Sequence, residues 1–355
     1  MSMKKFLLIT VICIFGGFLS GDHIFINLSN ADWQARLAAD IRKNPRQKHL
    51  DISLKDAVIP KLPATGFTVI SVWGHYVKEP VSLAPLADFK LNSLNLRQGS
   101  FCDLPRLDLS GLNNIAAEYS GQLDADELSG CNFPALRSLH IDNLSGETLN
   151  LSKAPHLEEL SLEQCDHPLR LVLHPRVKLK RLALPGEMIG VLKDIDLAEL
   201  EALYLSVTRS DTDYSIFPQL RFPKLEELRL SAAGCGTLKL PPLPELRTLA
   251  VVTWENIDLE ELKRHCPRLR ELELHRVKNI ANWQTLRELP LARLHIGVVG
   301  GAKYFLPAKP PRGCLVTGMP SFVDNPYKMW PSWAAAVLLF ALWTLGYHRK
   351  NGMKK

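Results

Sequence analysis

The chain has 355 residues, with 43 Lys and Arg against 37 Asp and Glu and a formal net charge of +6. That excess sits in two acid-free ends, Lys4 and Lys5 in the first twenty residues and Arg349, Lys350, Lys354 and Lys355 after Pro331, which leaves residues 21–330 with 37 bases against 37 acids. The balance removes the electrostatic motive for a nucleic-acid partner, and hydrophobic residues at 46% with charged ones at 23% exclude a disordered chain.

Residues 1–20 read as a signal peptide or N-terminal anchor, because Lys4-Lys5 precede an uncharged apolar run from Phe6 to Leu19. Residues 21–49 are expected to form an N-terminal cap. Within it Asn30 starts a helix that places Trp33, Leu37, Ala38 and Ile41 on one face.

From residue 50 to 299 the chain is built on a Leu-x-x-Leu-x-Leu spacing, clearest at Leu157-Glu-Glu-Leu160-Ser-Leu162. Its middle positions fall at 94, 115, 139, 160, 182, 203, 228, 249, 272 and 294, in steps of 21 to 25 residues. Leu50-Asp-Ile52 and Val69-Ile-Ser-Val72 extend the pattern backwards. Proline stands two residues before the first Leu of many units, at Pro134, Pro155, Pro223, Pro244 and Pro267, where it fixes a corner. This pattern resembles the leucine-rich-repeat family, whose unit of 20–29 residues ends in an inward Asn or Cys. Only Cys165 holds that place here; Leu144, Glu187, Thr208, Ala233, Trp254 and Val277 occupy the equivalents. The resemblance implies a divergent, irregular solenoid with a curved parallel β-sheet on its concave face and mostly extended or irregular convex limbs. One limb, Asp258 to Cys266, reads instead as an N-capped helical turn.

Residues 300–328 carry Gly300-Gly301, Pro307, Pro310-Pro311, Pro320 and Pro326 and are expected to be an irregular juxtamembrane segment. Residues 329–347 hold no charge. As a helix they would be about 29 Å long, the thickness of a bilayer core, with Trp330, Trp333 and Tyr347 at the edges. Residues 348–355 form a basic tail expected to be cytoplasmic. The expectation is a single-pass membrane protein with extracytoplasmic repeats.

The six cysteines beyond residue 20, Cys102, Cys131, Cys165, Cys235, Cys266 and Cys314, contain no CxxC pair and form no dense disulfide framework. The basic clusters Arg176/Lys178/Lys180/Arg181 and Lys263/Arg264/Arg268/Arg270 are interleaved with acids, as on a salt-bridging surface. In the resembled family partners bind the outward side of the strands, so the candidate binding residues are His140, Asp142, Ser161, Glu163, Tyr204, Arg229, Glu273, His275 and His295. The expected partner is another protein or peptide, with no catalytic residue, metal or cofactor. Two alternatives stand beside this. The first is an enzyme or metal-binding subunit using Glu273, His275 and His295, in which Glu273 and His295 would be ladder neighbours. The second is a sorted surface protein whose C-terminal span is removed.

Overall fold

The computed structural model describes residues 23–63, 66–75, 77–119, 123–165, 168–206, 214–297 and 310–317. The first strands are β1 (Ile24–Asn27), β2 (His49–Ser53), β3 (Val69–Trp73), β4 (Val81–Ser82), β5 (Ser93–Arg97), β6 (Phe101–Cys102) and β7 (Asn114–Glu118). Next come β8 (Leu123–Asp124), β9 (Ser138–Ser145), β10 (Thr148–Leu151), β11 (Glu159–Cys165), β12 (Arg170–Leu173), β13 (Arg181–Pro185) and β14 (Ala202–Ser206). The last are β15 (Glu227–Thr237), β16 (Thr248–Asp258), β17 (Glu271–His275), β18 (Asn279–Ala281), β19 (Arg293–Ile296) and β20 (Leu315–Thr317). One large sheet joins sixteen of these strands, in chain order as β1-β2-β3-β5-β7-β9-β11-β13-β14-β15-β16-β17-β19-β20, with β8 beside β9 and β18 beside β16. Successive strands pair in parallel, from β1 with β2 to β19 with β20. A parallel sheet traversed in chain order is compatible with a solenoid-like fold.

The register follows the leucine spacing. Leu94, Ile115, Leu139, Leu160, Leu182, Leu203, Leu228, Leu249, Leu272 and Leu294 are consecutive ladder partners. None is more than 1% exposed. Because side chains alternate along a strand, the residues between these leucines point the other way, and β5, β7 and β17 each alternate partly exposed and buried positions. A one-residue slip would turn every leucine outward, so burial of the leucine face fixes the register.

The corners follow from the prolines. In each Pro-x-Leu segment the carbonyl before the proline accepts the amide of the leucine, as in Leu136 N to Phe133 O at 3.3 Å, Leu246 N to Leu243 O at 3.2 Å and Leu269 N to Cys266 O at 3.1 Å. Proline presets the second turn position. The residue before it, Phe133, Ala154, Phe222, Leu243 or Cys266, is at most 1% exposed, so the same three-residue unit makes the turn and fills the core.

Three residues past the last inward position of the leucine pattern, Leu144, Trp254 and Val277 are apolar and buried at 0, 2 and 1% exposure. Backbone groups at this bend still need partners, and longer strands supply them. β15 and β16 each run for 11 residues. Their pairing continues past an irregularity through Cys235 with Trp254 and Thr237 with Asn256, and β16 pairs onward with β18.

The expected extended limbs are only partly found. β10 pairs with β12 and β4 with β6, but other limbs hold 3-10 turns at Ala84–Leu86, Leu104–Arg106, Gly186–Lys193, Tyr214–Gln219 and Trp283–Arg287. The first two begin with proline inside the first turn, where its missing amide costs nothing. The helices are α1 (Trp33–Lys43), α2 (Ala125–Gly130) and α3 (Leu259–His265). Asp258 caps α3 as expected, accepting from Glu260 N at 2.9 Å. Asn30 does not cap α1. That place falls to Asp32, whose side chain instead pairs with Arg36 at 2.8 Å. Only Leu37 of α1 is fully buried, and Ala38 is exposed. Two strands lie where none was expected: β1 in the cap before its helix, and β20 in the segment 300–328 expected to be irregular, where it extends the sheet beside β19.

The expected transmembrane helix, and the single-pass localisation built on it, are corrected. Among the described residues no helix is long and apolar enough to cross a membrane. The longest of them, α1, has 11 residues, roughly 16 Å at 1.5 Å per residue against a core of about 30 Å. The segments 329–347 and 348–355 and the signal segment 1–20 lie outside the described residues.

Cys131 and Cys266 are buried and form no disulfide. Burial pushes the thiols of Cys131 and Cys266 up to about 12, which suppresses the reactive thiolate. A disulfide-forming thiol reagent at pH 8 should therefore leave these two unmodified in the native protein and label them only after denaturation. Equal labelling in both states would contradict their burial.

Candidate binding face

The outward side chains of the sheet stand in two columns. The central one runs Asp51, Ser71, Asn95, Ala116, His140, Ser161, Ala183, Tyr204, Arg229, Ala250, Glu273, His295 and Thr317, each the ladder partner of the next. The second column includes Trp73, Arg97 and Glu118 as consecutive partners. It continues at Asp142 and Glu163, which stand opposite each other because their neighbours Ile141 and Leu162 pair. Every candidate residue is thus on this face, but they fall into separate groups.

The first group has no counterpart among the sequence candidates. Asp51 is 2% exposed although it lies in the outward column. His49 Nε2 is 3.3 Å from its Oδ1, and His23 Nε2 is 3.9 Å from its Oδ2. Burial alone would raise its pKa, but the hydrogen bond and charge of His49 outweigh that and hold the carboxyl below its ordinary value. Ser71 Oγ also meets His49 Nε2, at 3.0 Å. A nucleophilic Ser-His-Asp set needs serine and carboxylate on opposite ring nitrogens. Here both face the same one, so the group does not relay a proton. Its sequence signal was an acid between the inward Leu50 and Ile52 with His49 two positions before it.

The second group gathers four of the candidates' neighbours around β9. Arg97 lies over the Trp73 ring at 4.7 Å and pairs with Glu118 at 3.1 Å. His140 Nε2 is 2.8 Å from Asp142 Oδ1, and Asp142 Oδ2 accepts the amide of Tyr119 at 2.6 Å. Burial alone would lower the His140 pKa, but Asp142 above all, then Glu163 and Glu118, raise it above the ordinary imidazole value. Glu163 is also raised, first by burial and then by the charges of Asp142 and Glu118. Ligand atoms of His140, Asp142 and Glu163 all lie within 4.8 Å of one another.

The third group is Tyr204, Arg229 and Glu227. Glu227 accepts from Arg229 Nε at 2.7 Å and holds the guanidinium 5.5 Å from the centre of the Tyr204 ring. Burial, followed by the charge and hydrogen bond of Glu227, pushes the Tyr204 hydroxyl up to about 12. The ring and the guanidinium both remain partly exposed.

The fourth group is Glu273, His275 and His295. Glu273 and His295 are ladder neighbours as expected. The ligand atoms do not converge, however. His275 Nε2 is 3.8 Å from Glu273 Oε2, the two imidazoles meet tilted at 40° with centres 4.7 Å apart, and His295 Nδ1 is 2.8 Å from Thr317 Oγ1 on β20. Gly297 permits this arrangement, since a Cβ there would lie 2.2 Å from His275 Nδ1. Ser161 sits between groups, beside His140 and Ala183.

Along the corner before the strands the basic clusters meet acids: Lys180 with Glu158 at 2.7 Å, Arg181 with Glu159 at 3.5 Å and Lys263 with Glu288 at 2.6 Å, while Arg268 pairs with Glu245. Exposed pairs of this kind contribute little stability, but they neutralise the edge. No protein-family model and no curated protein matches this chain.

Proposed function

We propose that the chain is an irregular leucine-rich-repeat protein whose outward columns bind another protein or peptide, without catalysis. The steps of 21 to 25 residues between inward leucines, together with parallel strands in chain order, support the repeat reading. The observation that carries the binding reading is the Tyr204–Arg229–Glu227 group. Tyrosine and arginine are the side chains most enriched at binding hot spots. Here Glu227 holds the Arg229 guanidinium against the Tyr204 ring, and such pre-organisation reduces the entropy lost on contact. The mixed charge of the face suits a protein or peptide better than a polyanion.

The test is a photo-crosslinking residue at position 204 in the full chain, expressed in its native cell. It should yield a discrete adduct that is lost when Arg229→Glu is added, whereas the same probe at Lys239 on a limb should yield none. An adduct that persists with Arg229→Glu, or that forms equally at Lys239, would remove this face from the function.

A further inference from the structure

We propose that His140, Asp142 and Glu163 form a binding site for one divalent transition-metal cation. The site arises from the register. His140 and Asp142 are two apart on β9 and so share a face, while β11 pairs alongside with Ser161 opposite His140 and Gln164 opposite Asn143, which sets Glu163 across from Asp142. One imidazole nitrogen and two carboxylate oxygens then lie within 4.8 Å of one another. Ligands about 2.0–2.2 Å from a shared ion stand roughly 3–3.5 Å apart, so small side-chain rotations close the set. The amide of Tyr119 holds Asp142 Oδ2 and leaves Oδ1 turned to His140. An ion would replace that 2.8 Å contact.

Charge favours occupancy. Arg97 is committed to Glu118 and stacked on Trp73, which leaves two carboxylates for one imidazole. Glu163 makes no hydrogen bond or ion pair among the described residues, and it is exposed, which provides an entry path. The imidazole nitrogen selects against calcium and magnesium, which prefer all-oxygen shells, and suits zinc or manganese with water in the remaining positions.

Titration calorimetry of the full chain with Zn2+ and with Mn2+ tests this. One equivalent should bind, and Glu163→Gln and His140→Ala should each weaken it at least tenfold. Glu245→Gln, at a limb position paired with Arg268 and away from this face, should leave it unchanged. Glu163→Gln replaces an exposed carboxylate by a side chain of the same shape, so it decides the matter even if His140→Ala unfolds. Absence of stoichiometric binding, insensitivity to both variants, or tighter binding of Ca2+ than of either metal would overturn the assignment.

Discussion

Replacing Phe222 by Ala is expected to lower the free energy of unfolding by about 3–5 kcal/mol, the range for removing a buried aromatic from a core. Phe222 is 1% exposed and packs against Phe217 with ring centres 5.5 Å apart. Its carbonyl also closes the Phe222-Pro223-Lys224-Leu225 corner. The truncation therefore opens a cavity at the point where the chain turns from limb to strand, and neighbouring units cannot collapse into it without disturbing the ladder. Phe25, 54% exposed on β1, is the control: its replacement by Ala should change stability by less than about 0.5 kcal/mol. Urea denaturation of the two variants checks both figures. Equal effects would mean that the limb side of the sheet is not a packed core.

The second large effect concerns Asp51. Removing His49 strips a carboxylate that is 2% exposed of its main hydrogen-bond partner. His49→Ala should therefore cost about 1–3 kcal/mol at pH 7, the penalty for a buried polar group stripped of its partner, reduced here because His49 is itself 33% exposed. The double variant His49→Ala/Asp51→Leu should recover most of the loss, because the orphaned charge is then gone. Acid behaviour supplies an independent check. The Asp51 pKa is lowered in the folded chain, so its contribution is fully present above the unfolded value of 3.8 and is lost as pH falls through the folded value. The wild type should lose stability below about pH 4 more steeply than Asp51→Asn. Parallel acid profiles for the two would contradict the arrangement around Asp51.

The leucine face was legible in the sequence because its signal is redundant. Ten inward positions repeat at nearly constant spacing, and any one of them could fail without losing the register. The edges were not. β1 offers only Ile24 and Ile26 as inward residues, and β20 is three residues long among prolines, so neither repeats often enough to stand out. The cap of α1 was misplaced because Asn30 and Asp32 are both competent capping residues, and sequence alone does not show that Asp32 is drawn away by Arg36.

The face was legible as columns but not as groups. Register could place Glu273 beside His295 and Glu163 beside Asp142 equally well. What separates them is side-chain direction: Thr317, on a strand the sequence did not reveal, takes the Nδ1 of His295. Gly297 leaves room for His275 to lie against the other imidazole. At the other end of the face, Tyr119 turns Asp142 toward His140. Its left-handed backbone, with φ of 48°, is unusual for a bulky residue and carries no sequence mark.

The central claim is that the outward columns are the working surface, and a crosslinking scan along one column tests it most directly. Photo-reactive residues placed singly at Asn95, Ser161, Tyr204 and Glu273, and at limb positions Lys239 and Glu245, should give adducts with one common partner from a contiguous run of column positions and none from the limbs. Adducts confined to Lys239 and Glu245, or absent from every column position, would contradict the account.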